Sequence, residues 1–227
     1  MGEIVTVRKI LRENGLSIIL LLFMLLSLGG QAVTGMFAYN EEQQEHGQPT
    51  LDLISYLATS HFLEATMENW ESEFLQMFAF VVLTACLFQK GSAESKDPDK
   101  QEPVDRDPRK SRNKKDAPWP VRKGGAILTL YEYSLSLIFL LLFILAFTLH
   151  AVGGAREYNQ NQQEHGNYEQ LSTFEYIGTP RFWFESFQNW QSEFLAVAAM
   201  VILSIFLRQR GSVESKPVDS PHSETGK

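Results

Sequence analysis

The chain has 227 residues, 44% of them hydrophobic, with a formal net charge of −7 and a mean hydropathy of −0.15. These averages would suit one or two soluble domains and do not by themselves indicate a membrane protein. The single cysteine, Cys86, excludes an intrachain disulfide. Nucleophile-elbow, phosphate-loop, HExxH and CxxC signatures are absent from the sequence, so it gives no positive sign of an enzyme and predicts no cofactor.

The first predicted element is a membrane span at residues 16–37, which contain no Asp, Glu, Lys or Arg. Its length is close to the roughly 20 residues that cross a hydrocarbon core. Arg8, Lys9 and Arg12 precede it, as they would precede the apolar part of a cleaved secretory signal. A matching uncharged run at residues 134–152 lies in the middle of the chain, where no signal is expected. We therefore interpret both runs as spans.

A polar block follows each of these spans, AYNEEQQEHG at 38–47 and EYNQNQQEHG at 157–166. The pairs Glu45 with His46 and Glu164 with His165 supply two carboxylates and two imidazoles. These would make a set of metal ligands if the two blocks meet. Because each His is followed by a glycine that suggests a turn, the alternative is a hydrogen-bonded loop anchor.

A longer helix is predicted after each block. Thr59 and Thr179 are placed as N-caps, the second followed by Pro180 at the first helical position. Gly91 and Gly211 are placed as C-caps, which gives helices of about 30 residues that span the membrane with a polar outer part. The purely apolar parts, 74–88 and 194–207, are short, so part of each crossing must include polar residues.

Residues 92–123 are predicted to be a disordered, charged linker, since they mix acidic and basic residues and contain several prolines. They lack an aromatic ladder, which argues against nucleic-acid binding. Lys and Arg are absent from residues 39–72 and sparse in 156–192. The positive-inside rule therefore places both termini and the linker in the cytoplasm and both polar blocks outside.

The order of signals indicates a duplication. NWESEFL at 69–75 recurs as NWQSEFL at 189–195, and GSAESK at 91–96 recurs as GSVESK at 211–216. We predict a first two-span repeat at 1–91, the linker at 92–123, a second two-span repeat at 124–211 and a disordered tail at 212–227. A repeat with an even number of spans keeps its orientation, so the two hairpins are predicted to be parallel.

Polar residues near the outer ends of the spans define a candidate ligand-binding site. An ionisable group at such depth is a functional candidate, because leaving it unpaired in hydrocarbon is unfavourable. The alternative is ordinary hydrogen bonding between helices, which polar residues in membrane bundles often supply. The predicted cluster consists of Glu73, Glu193, Asn69, Asn189, Gln31 and His150, covered by the blocks that contain Glu45, His46, Glu164 and His165.

The order NGLS, apolar span, AYNEEQQEHG, HFLEATMENWESEFLQ, apolar span and QKGSAESK resembles a family of small bacterial membrane proteins known as a domain of unknown function. The resemblance implies four spans and supplies no activity. We predict an all-α integral membrane protein, a four-helix bundle of two tandem parallel hairpins in the inner membrane, which contacts lipid and forms a homo-oligomer. Its function is predicted as binding or passing a small cation or polar solute, or alternatively as a structural or stress-related role through partner contacts.

Overall fold

A computed structural model describes residues 2–167 and 169–226, with side chains from residue 9 onward. The described residues form α-helices and two short 3-10 helices and contain no β-strand, which confirms the all-α prediction. The 3-10 helices, Pro103–Asp105 and Pro108–Ser111, lie in the segment between the two halves. The α-helices are α1 Gly2–Glu45, α2 Leu53–Leu57, α3 Ser60–Cys86, α4 Trp119–Lys123, α5 Gly125–Glu132, α6 Ser134–Glu164, α7 Thr173–Ile177 and α8 Pro180–Phe206.

Among the described residues, three helical segments are long and apolar enough to cross a membrane: Lys9–Glu45 within α1, then α6 and α8. Their apolar side chains are mostly uncovered by protein; Leu16, for example, is 74% exposed. Runs of exposed leucine and phenylalanine on this scale are unfavourable in water and favourable in lipid. These helices therefore suggest a membrane protein.

The predicted starts of the two long helices are confirmed. The Thr179 hydroxyl accepts a hydrogen bond from the Phe182 N–H, with Pro180 as the first residue of α8. The Thr59 hydroxyl likewise accepts from the Phe62 N–H at 3.2 Å, immediately before α3 begins. In each helix the hydroxyl satisfies one of the N–H groups that the first turn leaves without a partner.

The predicted C-caps at Gly91 and Gly211 are wrong, because α3 ends at Cys86 and α8 ends at Phe206. After α8 the chain leaves helical geometry at Leu207, whose backbone is extended. The two glycines instead form turns beyond the helices, with φ angles of +87° and +83° that favour glycine. Each long helix is consequently 27 residues long, somewhat shorter than predicted.

The short helices α2 and α7 each begin at a side-chain cap. Asp52 accepts from the Ser55 N–H, and Ser172 forms a reciprocal capping box with Glu175. Hydrogen bonds from the hydroxyl and the backbone N–H of Ser172 hold the pKa of Glu175 below its ordinary value. The caps explain why five-residue helices, too short to persist alone, are well defined.

The chain divides into two compact units, the first formed by Met1–Ala65 with Gly153–Leu171 and the second by Thr66–Val152 with Ser172–Lys227. In the first unit, α6 comes so close to α3 that a Cβ added at Gly153 would lie 2.9 Å from the backbone nitrogen of Glu64. This is the close helix approach for which glycine is needed.

In the second unit, Lys216 ties the C-terminal tail to the loop that follows α3. Its side chain is buried, and its Nζ lies within hydrogen-bond distance of the carbonyl oxygens of Gly91, Pro221, His222 and Glu224, at 2.6–3.2 Å. A buried ammonium group needs such partners, because its desolvation is otherwise unfavourable. The GSVESK string therefore supplies a structural contact.

Candidate functional site

The second unit contains a buried imidazole between two carboxylates. His150 of α6 and Glu71 of α3 both have 0% exposed surface, and His150 Nδ1 lies 2.8 Å from Glu71 Oε2. On the other side of the ring, His150 Nε2 lies 3.5 Å from Glu185 Oε2 of α8. This second distance is within ion-pair range, but the atoms are not aligned for a hydrogen bond. We call Glu71, His150 and Glu185 the buried triad.

The aromatic surroundings fix the orientation of the imidazole. Phe182, which is fully buried, stacks on the His150 ring with centroids 4.7 Å apart and an interplanar angle of 25°. Phe147 packs edge-on against the same Phe182. With one face held by a ring, His150 has little freedom to turn away from the two carboxylates.

Each carboxylate of the triad has further donors. The Trp190 indole Nε1 donates to Glu71 Oε1 at 3.0 Å. Glu185 accepts from the Tyr176 hydroxyl at 2.8 Å and from the Arg181 Nε at 2.8 Å. The triad therefore combines two acidic groups, one imidazole and one nearby guanidinium. Such a set can hold and exchange a proton between defined atoms.

The remaining predicted site residues of the second unit are not members of the triad. Asn189 Nδ2 donates a hydrogen bond to the carboxylate of Glu68. Glu193 is partly buried, and its backbone carbonyl accepts from Gln76 Nε2 at 2.9 Å. Glu73 and Asn69 are exposed, and the backbone carbonyl of Asn69 accepts from the Ser72 hydroxyl at 2.7 Å.

In the first unit, the two polar blocks lie side by side. The carboxylate of Glu164 accepts from Gln43 Nε2 at 3.5 Å and from Gln160 Nε2 at 3.2 Å, and Gln160 also donates to the Tyr39 hydroxyl. Gln31 is partly buried in α1. A cavity of about 360 Å³ opens beside these groups, lined by Tyr39, Gln43, Gln48, Pro49, Leu51, Gln160, Gln163 and Glu164.

The rings of His46 and His165 lie edge to face, with centroids 5.3 Å apart. Each belongs to one of the two Glu–His pairs that sequence analysis selected as metal ligands if the blocks meet. The neighbouring Glu45 is exposed. The structure therefore brings the two imidazoles into contact, and Glu164 belongs to the same unit.

The asparagine of each polar block has a structural function that sequence reasoning did not assign. Asn40 donates to the Leu51 carbonyl and accepts from the Leu51 N–H, at 2.8 and 2.7 Å. Asn159 makes the same two contacts with Leu171, both at 2.8 Å. A single amide side chain can do this because it carries both a donor and an acceptor. The YN dipeptide in both blocks was the signal for this loop anchor.

Sequence reasoning also missed Glu71 and Glu185 as the partners of His150. It selected residues that match between the two halves, and neither carboxylate is matched. The second half has Gln191 at the position of Glu71, and the first half has Ala65 at the position of Glu185. The available signal was His150 itself, which stands where the first half has Gln31, because an imidazole in a span needs a polar partner.

The fold and the site together define an all-helical protein with apolar helices suited to a membrane and a buried, acid-flanked histidine. Over residues 7–227 the chain matches the family described as Domain of unknown function (DUF6766), and it belongs to that family. No curated protein and no solved structure matches the chain.

Proposed function

We propose that this chain is a four-span inner-membrane protein in which the buried triad binds a small cation, and that this cation is the proton. The observation that carries the proposal is the fully buried imidazole of His150 between the carboxylates of Glu71 and Glu185. Ionisable groups inside membrane helices commonly belong to proton or ion pathways.

The proposal of a fourth span rests on where the polar residues of α3 point. This helix has the same length as α8 but is less apolar, and its polar residues include Glu71, Glu73 and Gln76. Two of the three, Glu71 and Gln76, are buried by protein, so they would not meet lipid. A polar residue that faces the interior of a bundle is compatible with a membrane span. The basic residues near both termini and in residues 92–123 support a cytoplasmic position for these segments.

A proton fits the buried triad better than a larger solute. His150 and Glu71 have no exposed surface, and the ring is in contact with Phe182 on one face. A hydrated ion or a polar solute would require the helices to separate, whereas a proton needs only the space between His150 Nδ1 and Glu71 Oε2, which are 2.8 Å apart, and a small movement of Glu185 towards Nε2. Imidazole is also the side chain whose ordinary pKa lies closest to neutral pH.

Proton flux in proteoliposomes tests this proposal. Vesicles loaded with a pH-sensitive dye receive a potassium diffusion potential, and the rate of internal pH change is compared with that of protein-free vesicles. We expect flux with the wild type and its loss in His150→Gln, which introduces the residue that the first half has at this position. Glu73→Gln, at an exposed carboxylate two residues from Glu71, is the matched control and should retain the flux.

Two outcomes would contradict the proposal. If vesicles with the wild-type protein acidify no faster than protein-free vesicles, the protein does not conduct protons. Flux that is equal in wild type and His150→Gln would place the pathway elsewhere. If flux is absent and crosslinking in membranes recovers a stable protein partner, the structural or stress-related role through partner contacts replaces this proposal.

A further inference from the structure

Two histidines meet in the first unit, where the polar blocks end. His46 follows the last residue of α1 and His165 follows the last residue of α6, and both side chains are exposed. Their rings meet edge to face with centroids 5.3 Å apart and an interplanar angle of 66°. The buried triad lies in the other unit, so this pair of imidazoles is not used by the proposed proton site.

The hydrogen bonds of both rings fix which nitrogen is available. His46 Nδ1 lies 3.0 Å from the Glu42 carbonyl oxygen, and His165 Nδ1 lies 2.8 Å from the Asn161 carbonyl oxygen. A carbonyl oxygen can only accept, so each Nδ1 carries the hydrogen. In the neutral ring, each Nε2 then keeps its lone pair. This is the arrangement of metal-binding histidines, which donate their other ring N–H to a carbonyl or a carboxylate.

The separation of the rings agrees with a shared ion. Two imidazoles that bind one tetrahedral ion at an N–metal distance of about 2.0–2.1 Å place their ring centres roughly 5 Å apart. The observed 5.3 Å needs only a small adjustment of two exposed side chains at the ends of helices.

The local charge also favours a cation. The negative ends of the macrodipoles of α1 and α6 lie at this point, and a positive charge near a helix C-terminus is stabilised by them. Glu45 precedes His46, and Glu164 precedes His165. Imidazole ligands select ions such as Zn²⁺, Ni²⁺ and Cu²⁺ over Mg²⁺ and Ca²⁺, which prefer oxygen ligands.

We infer that His46 and His165 form a binding site for a divalent transition-metal ion, with one Nε2 ligand from each half of the chain. The two histidines would hold the ends of α1 and α6 together through the ion. Water would complete the coordination.

The test is titration of Zn²⁺ into the purified full-length protein, carrying no histidine tag, in detergent with excess Mg²⁺. We expect saturable binding of one ion, and a loss of affinity of at least about tenfold in His46→Ala and in His165→Ala, since even an outer-shell partner contributes that much at metal sites. His61→Ala is the matched control, because His61 contacts Tyr56 elsewhere in the first unit and should not matter. His150→Gln should also retain zinc binding, which separates this site from the proton site.

Electron paramagnetic resonance of bound Cu²⁺ provides a second measurement that does not depend on affinity. Coupling to two imidazole nitrogens is expected in the wild type and to one in either single variant. Melting in the absence of metal establishes that the variants are folded. The proposal is overturned if zinc binding is absent, if it persists in either His46→Ala or His165→Ala, or if the copper spectrum shows no second imidazole.

Discussion

Replacement of Glu71 by glutamine tests whether the buried triad is held as described. Both carboxylate oxygens of Glu71 accept: one faces His150 Nδ1 at 2.8 Å and the other accepts from Trp190 Nε1 at 3.0 Å. Glutamine keeps the shape but has one acceptor oxygen and no charge, so the hydrogen bonds that remain at this position are no longer made to a charged group. A hydrogen bond to a charged group contributes about 1.5–3 kcal/mol to stability. Glu71→Gln should therefore lower the free energy of unfolding by about that amount.

The assay is equilibrium unfolding in mixed detergent micelles followed by tryptophan fluorescence. Glu73→Gln serves as the control, because Glu73 is exposed and its substitution should change stability by less than about 0.5 kcal/mol. If Glu71→Gln and Glu73→Gln are equally stable, or if Glu71→Gln is more stable than wild type, the hydrogen bonds of Glu71 are not those described.

Three further predictions concern the scaffold. Gly153→Ala should destabilise the protein by about 1–3 kcal/mol in thermal unfolding, because the new Cβ meets the backbone of Glu64, whereas Gly30→Ala, with nothing within 4 Å, should be neutral or stabilising. Asn159→Asp removes the donor of the loop anchor and sets a carboxylate against a carbonyl; faster proteolysis of the loop after α6 is expected, and unchanged proteolysis would refute the anchor. The pKa of Glu175 is lowered in the folded state, so its cap stabilises the fold at neutral pH and ceases to do so as the pH falls through that pKa. The melting temperatures of wild type and Glu175→Gln should therefore differ near pH 7 and converge in acid. A difference that persists in acid would be inconsistent with this account.

The sequence predicts the fold well where local signals decide. The uncharged runs predict the long apolar helices, and Thr59 and Thr179 predict where α3 and α8 begin, because an N-cap depends on a few neighbouring residues. The ends of these helices were predicted less well. Gly91 and Gly211 adopt the positive φ that favours glycine, but several residues after each helix has ended.

The candidate site was harder to predict, because it depends on which helix faces meet. A comparison of the two halves selects the residues that they share, such as Glu73 with Glu193. The triad is instead built from residues that differ between the halves, with His150, Glu71 and Glu185 each found in one copy alone. Their convergence follows from packing between helices, which periodicity along one helix does not specify.

Part of the predicted outer cluster nevertheless coincides with observed contacts. His150 occupies the centre of the triad, and Asn189 contacts Glu68 on the neighbouring helix. The two Glu–His pairs were selected from their repetition alone, and their imidazoles lie together. Repetition selects positions that match between the two halves, whereas the partners of His150 within the second unit required the structure.

The number of membrane crossings is the claim on which the proposed proton pathway most depends, and cysteine labelling measures it directly. Because Cys86 is the single cysteine, Cys86→Ser provides a background into which Glu45→Cys, Gln163→Cys and Lys100→Cys are introduced one at a time. With four spans, a membrane-impermeant thiol reagent added outside should label positions 45 and 163 in intact cells. Position 100 should be labelled only after the membrane has been permeabilised. If α3 does not cross, positions 45 and 163 will be labelled from opposite sides, and the four-span account will be contradicted.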